Sequence, residues 1–310
     1  MYAYIFRRVL YMIPILFGVA LLTFVLFTVF GEDPVRFALG KHASEQSIQE
    51  LTQRWGLDEP RWQQFLSFLG QIVTFRYGES FSSGDNVWNM FKDGALVSLS
   101  LTAPPFFIGT VLNLILALLI AYYRESWMDR LSRILFIASM SVSYLVYIIV
   151  MQYLLAYKLS WFPIQGFVDG WGATRFLALP WLIIVLVSMG PDIRIFRTIF
   201  LDQAGAEYIK TARAKGASAG RVLYVHLLKN AMIPIVTNTV IAIPFLITGA
   251  FVMERYFSIP GIGDITMTAI NEGDFPVIKA MTMLSALLFA VFNLLTDLLY
   301  AFFDPRVKLE

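Results

Sequence analysis

The 310-residue chain has no cysteine and only two histidines. Without thiols it can build neither a disulfide framework nor a thiolate metal site. His42 and His226 fall on opposite sides of the membrane in the topology read below, so they cannot form a paired-histidine metal site. A nucleotide-binding P-loop is also missing, because "GASAGRV" at 216–222 has the wrong spacing and does not end in Gly-Lys-Ser/Thr. No G-x-S-x-G nucleophile turn occurs either. Catalysis by this chain alone is therefore not expected. Charge is scarce as well: 15% of residues are charged, against 58% hydrophobic, with 27 Phe and 7 Trp. A soluble domain of this length could not hide that much apolar surface, so the composition points to a multi-pass membrane protein.

What is present is a series of bilayer-length apolar runs, each near the roughly 20 residues a spanning helix needs. Six are read, at 9–30, 96–122, 134–157, 176–193, 232–253 and 280–303. The first is too long for the apolar core of a signal peptide and lacks a small-residue cleavage site, so it is expected to stay as a span. Lys and Arg sort the loops. One side holds Arg7, Arg8, Arg124, Arg130 and Arg133, the cluster from Arg194 to Lys229, and Arg306 with Lys308. The short loops opposite hold Lys158, Arg175, Arg255 and Lys279. Both termini are thus expected in the cytoplasm, with 31–95 outside and 194–231 as a large cytoplasmic loop. The expected fold is all-α and integral to the membrane, one domain over 1–310.

The external loop reads as helical. Ser47 with Glu50 can form a capping box, Ile48, Leu51 and Trp55 share a face, and Gly56 ends the turn. Asp58 is expected to cap a second helix whose stripe is Trp62, Phe65, Leu66 and Leu69. Three acids, Asp192, Glu254 and Asp297, lie in or at the ends of spans. Asp192 and Glu254 are placed where water reaches them, and structural or capping roles are favoured over proton relay. Asn113, Asn238 and Asn293 read as interhelical hydrogen-bonding or pore-lining groups.

The cytoplasmic loop carries the most distinctive pattern. Glu207 to Lys215 reads as a short helix with an acid at its start and a base at its end. Gly216 supplies a stop that tolerates positive φ, and Ser218 can cap the next helix. The helix is too short and too poor in apolar area to stand alone, so it is expected to dock on another protein, with Ala212 close to that partner.

These residues resemble the cytoplasmic loop of the permeases of ABC importers, in the dipeptide/oligopeptide (peptide/nickel) subgroup. The resemblance rests on "YIKTARAKGAS" (208–218) followed by "HLLKNAMIPIV" (226–236). The wider pattern is Glu-Ala-Ala, three residues, then Gly. Here Lys210, Thr211 and Ala212 hold the first places and Gly216 the last. "YIFRRVLYMIPILFGVALLTF" (4–24), "WGLDEP" (55–60), "SWMDR" (126–130), "ERYFSIPGIGDITMTAINEGDFPVI" (254–278) and "DLLYAFFDPRV" (297–307) extend the similarity over almost the whole chain. Val142 stands where the subgroup usually has proline and Ala117 where it usually has glycine, which leaves helix shape and substrate preference open.

The resemblance implies a permease subunit of an ATP-driven importer in the bacterial inner membrane, forming half of an alternating-access pathway. Its implied partners are a homologous second permease, two ATP-binding subunits that hold ATP and Mg, and an external substrate-binding protein. Lipid surrounds the spans, no nucleic acid is involved, and the chain itself binds no cofactor or metal. The implied coupling residues are Glu207, Tyr208, Ile209, Thr211, Ala212, Arg213, Ala214, Lys215 and Gly216. Candidate pathway residues are Ser100, Asn113, Ser141, Ser143, Thr237, Asn238 and Thr248, neutral polar groups suited to passing varied cargo. Peptide is the expected cargo, with nickel chelates, glutathione or oligosaccharides as alternatives. An ion-coupled secondary transporter ranks below, because neither paired midplane charges nor inverted repeats are visible.

Overall fold

A computed structural model describes residues 2–29, 33–39, 44–246 and 250–303. Among these residues the chain is all-helical, with no strand. Four helices are long and apolar enough to cross a membrane, and a fifth crossing results if one sharply bent pair counts as a single span. The chain divides into two compact units whose boundaries fall inside two long helices, near residues 99 and 294, and in the 246–247 segment.

The first unit begins with α1 (Tyr2–Phe24), which continues as a π turn (Val25–Val29). Beyond it lie α2 (Pro34–Leu39), α3 (Glu45–Arg54) and α4 (Arg61–Thr74). α3 starts earlier than the sequence pattern suggested. Its N-cap is Ser44, whose Oγ accepts from the Ser47 N–H at 3.1 Å, so Ser47 sits inside the first turn. α4 has no side-chain cap from Asp58; instead the Gln64 amide donates back to the Leu57 and Glu59 carbonyls and holds the entering turn. The buried stripe of α4 is also rotated from the expected one. Phe65, Phe68, Leu69 and Ile72 face Ala20 and Phe24 of α1, while Trp62 and Leu66 stay exposed.

The long helix α5 (Val87–Tyr122) starts nine residues before the run assigned to the second span, so its first turns lie within the segment read as loop. The unit is completed by α12 (Phe251–Phe257), α13 (Ile262–Glu272) and the start of α14 (Phe275–Phe303). Two carboxylates organise it. Asp274 precedes α14, accepts from the Val277 N–H, and receives hydrogen bonds from Ser80 Oγ, Phe81 N, Ser82 N and Ser82 Oγ. It therefore caps a span and fixes the 80–82 turn at once. Glu254 is fully buried, not within reach of water as expected. Its carboxylate accepts from Ser98 Oγ at 2.7 Å and from the N–H groups of Ala250 and Asp264, both at 3.1 Å. Asp264 lies in the first turn of α13, so Glu254 satisfies donors that a helix start leaves open. Gly261 and Gly263 make room for it: an added methyl at either would overlap the Glu254 carboxylate.

The second unit contains the rest of α5, then α6 (Trp127–Met140), α7 (Tyr144–Met151) with its π continuation to Lys158, and α8 (Ala173–Ala204). The run read as a straight third span is bent by 95° between α6 and α7. Ser141 Oγ returns to the Ile137 carbonyl, and Ser143 restarts the chain in an extended conformation with ψ 143°. Short hydroxyl side chains compete for backbone groups in this way and break a helix that composition alone reads as continuous. α8 covers the run read as the fourth span and is far longer than 176–193; its 32 residues reach about 48 Å. It carries Pro180 and Pro191 without breaking. The fifth run is not one helix. α11 (Leu228–Ile241) stops before Pro244, a 3-10 turn covers Ile243–Leu246, and α12 begins only at Phe251. Proline has no N–H to extend the ladder, and the Ala242 N–H already closes back three residues to Thr239.

Candidate coupling site

The site is built where α8 ends. Gly205 and Ala206 close the helix, and α9 (Glu207–Ala214) follows immediately. Ile209 and Ala212, three residues apart, turn inward and are buried with Phe196 and Phe200 of α8 and with Val222 and Leu227. Ala212 is only 8% exposed, so it faces the chain's own core, and the outward face consists of Glu207, Lys210, Thr211, Ala214 and Lys215. The backbone of Arg213 belongs to α9, and its side chain lies outside the described residues. Lys210 Nζ and Glu207 Oε1 are 2.7 Å apart, both exposed, a pair that adds little stability. The Tyr208 hydroxyl donates to Gln203 Oε1 at 2.7 Å, and burial pushes its phenol above the usual range, which keeps it a neutral donor.

Gly216 ends α9 at φ +78°, and the Ala217 N–H donates to the Ala212 carbonyl at 3.1 Å, closing a Schellman turn. Ser218 Oγ then accepts from the Arg221 N–H and starts α10 (Ala219–Arg221), as its position suggested. A π turn (Val222–Leu227) leads into α11. The result is a short helix with one face anchored and one face offered to solvent. An apolar cavity of about 350 Å³ adjoins it, lined by Ala121, Tyr122, Phe200, Ala204, Ala217 and Leu223 among others.

A second anchor had no sequence signal. Asp129, in the first turn of α6, is buried and takes a bidentate contact from Arg197 of α8, with Nε to Oδ1 at 2.9 Å and Nη2 to Oδ2 at 3.0 Å. Its carboxylate also accepts from the Glu125 N–H at 3.1 Å, and Arg133 stands 3.7 Å away. The loop 123–126 is thereby tied to the helix that leads into α9.

Asn113 is buried and donates to Ser188 Oγ at 3.1 Å and Asp192 Oδ2 at 3.0 Å, which makes it an interhelical link between α5 and α8. Asp192 is thus half-buried in a polar cluster, not simply a span-end group. The Ser100 carbonyl accepts from the Trp181 indole. Ser141 is spent on its own helix, Ser143 and Asn238 are exposed, Thr237 is half-buried, and Thr248 lies outside the described residues.

Residues 109–309 match the family described as binding-protein-dependent transport system inner membrane component, and residues 1–102 match its membrane component N-terminal region. The chain belongs to this family. The permease is 31% identical over 99% of its length to the whole of a dipeptide transport system permease protein of Alkalihalophilus pseudofirmus. It is 30% identical, again over 99% of each chain, to a di/tripeptide transport system permease protein of Pseudomonas aeruginosa. A glutathione transport system permease protein of Escherichia coli is 31% identical over 98% of both chains. The protein is accordingly a multi-pass inner-membrane permease of an ABC importer, not itself catalytic, and hydrolysis resides in separate subunits.

Proposed function

We propose that this permease imports peptides, pairing with a homologous second permease to form the pathway, and that α9 is the element through which two ATP-binding subunits drive it. ATP and Mg belong to those subunits, and an external binding protein delivers the cargo. Peptide is favoured because the two relatives named above for dipeptides and di/tripeptides match over essentially their full length; glutathione, itself a peptide, remains within the same chemistry. Six crossings fit if the bent α6–α7 pair is one and the broken α11–α12 stretch another, with both termini on the α9 side.

The observation that carries the coupling role is the one-sidedness of α9. Ile209 and Ala212 fix it to its own chain, so a push on the outer face moves α8 and α11 with it. Because the chain is free of cysteine, a Lys210→Cys variant gives a unique attachment point. A short bifunctional reagent there is expected to cross-link an ATP-binding subunit, and Ser83→Cys is expected to label only from the opposite side. No cross-link from position 210 in an assembled importer would overturn the coupling role.

A further inference from the structure

A second cavity lies entirely within the first unit. It holds about 850 Å³ and is walled by the end of the first span's π turn, α2, α3, the start of α4, the 77–84 loop and the first turn of α14. That volume is in the range of small-molecule sites. Its walls are fixed: Trp55 and Phe81 stack at 3.6 Å with their planes 1° apart, and Asp274 pins the 80–82 turn.

Lys279 lines this cavity from the first turns of α14. Its ammonium lies 5.5 Å from the centroid of the buried Phe68 ring, and the described residues place no carboxylate within ion-pair distance of it. The nearest acid in the sequence, Asp274 just before this helix, is already occupied by five donors from the 80–82 turn and α14 itself. A charged side chain within a span normally pairs or faces a water-filled space that a ligand can enter, and a ring face alone leaves most of its charge uncompensated. Two further cations, Arg54 and Arg61, line the same cavity. Arg54 is exposed and makes no ion pair among the described residues. The acids on the wall are Asp33, loosely paired with Arg36 at 3.7 Å, and Glu79. Among the described residues the cavity carries three cations against two acids on walls that mix polar, apolar and aromatic groups, and its half-buried Lys279 ammonium has no carboxylate partner there, a setting that suits a small solute carrying a carboxylate.

We propose that this cavity is a binding site for a carboxylate-bearing solute, its carboxylate seated on Lys279 with Arg54 at the rim. The inference rests on the importer reading only in naming a short peptide as that solute. It gives the permease itself a part in reading the cargo's C-terminal charge.

The test is equilibrium binding of tritiated trialanine, and of trialanine amide, to the full-length chain in lipid nanodiscs. Trialanine is expected to bind saturably, and removing its carboxylate as the amide is expected to weaken binding about tenfold or more. Lys279→Met is expected to weaken trialanine binding by a similar factor and to erase the acid-over-amide preference. Lys279→Arg keeps the charge and is expected to keep the preference. Should Lys279→Met fail to fold, as read by gel filtration, Arg54→Gln on the exposed rim decides, with an expected loss of about threefold. Absence of saturable binding, equal affinity for acid and amide, or undiminished binding by the neutral variants would overturn the site. The cross-link from position 210 reads the importer role without involving this cavity, so the two proposals fail separately.

Discussion

Glu254 and Asp129 are both buried acids near helix starts, and they are satisfied in opposite ways. Glu254 has neutral donors: one hydroxyl and the N–H groups of Ala250, Gly263 and Asp264, in a space cleared by two glycines. Asp129 has a guanidinium from another helix, itself 19% exposed, a second and looser one from Arg133 of its own helix, and one backbone N–H. The first arrangement is a joint among fixed backbone groups and has no looser alternative. The second joins two helices through side chains that can separate and be taken over by water. The first unit is thus held by shape around a carboxylate, and the second by a charge pair between α6 and the helix that leads into α9.

The largest effect is expected where shape decides. Gly261→Ala brings a methyl onto the Glu254 carboxyl and within 2.5 Å of Ser98 Oγ, two groups already held by each other. A loss of about 3 kcal/mol or more is expected, read as failure of the variant to survive detergent extraction as a monodisperse species. Ordinary stability of Gly261→Ala would mean the joint is soft and the contrast with Asp129 is false. Next comes Asp129→Ala, which strands Arg197 and is expected to cost about 2–4 kcal/mol in thermal unfolding. Adding Arg197→Met removes the stranded charge and is expected to restore part of that loss while leaving coupled ATP hydrolysis impaired. Full loss in the double variant would show that the guanidinium does more than neutralise Asp129.

How much of this was legible in the sequence follows from the range of each interaction. Apolar runs announced four helices long enough to span, because a bilayer selects on composition, but not the bend in the third run or the break in the fifth. Gly216 and Ser218 announced the ends of α9 and α10, because caps act within four residues. The bend at 141–143 was hidden, since two serines in an apolar run change direction without changing average hydropathy. The Asp129–Arg197 contact joins residues 68 apart and leaves no periodic trace. Helical spacing groups Ala206, Ile209, Ala212 and the Thr211 methyl on overlapping faces of the α9 segment; Ile209 and Ala212 are buried but Thr211 is exposed, and spacing cannot say whether a face is covered by the same chain or by another. The glycines of "SIPGIGD" (258–264) carry no local signal of their purpose; only the position of Glu254 explains why they are needed.

The two faces of α9 allow the comparison to be narrowed to one helix. If Ala212 faced a partner, as the sequence suggests, Ala212→Trp would overfill the partner's groove. With Ala212 packed among Ile209, Phe200 and Val222, it is expected instead to overpack the chain itself, at about 1–3 kcal/mol. The variant should therefore melt earlier even without any partner. An unchanged melting temperature of the isolated chain, with assembly lost, would return Ala212 to the partner's surface.

The smallest effect on stability is expected from Lys210→Glu. Lys210 and Glu207 are both mostly exposed, and such a pair contributes well under about 1 kcal/mol. Reversing the charge leaves the buried face of α9 untouched, so thermal unfolding of the isolated chain should shift by no more than about a degree or two. The outer face would change sign at its centre, from a lysine among Thr211, Ala214 and Lys215 to a second acid beside Glu207. If that face is where an ATP-binding subunit docks, stimulated ATP hydrolysis should fall several-fold and become more sensitive to added salt. A variant that couples normally at low and high salt would place docking elsewhere on the loop, and the Asp129–Arg197 pair would then be the better candidate for the moving joint.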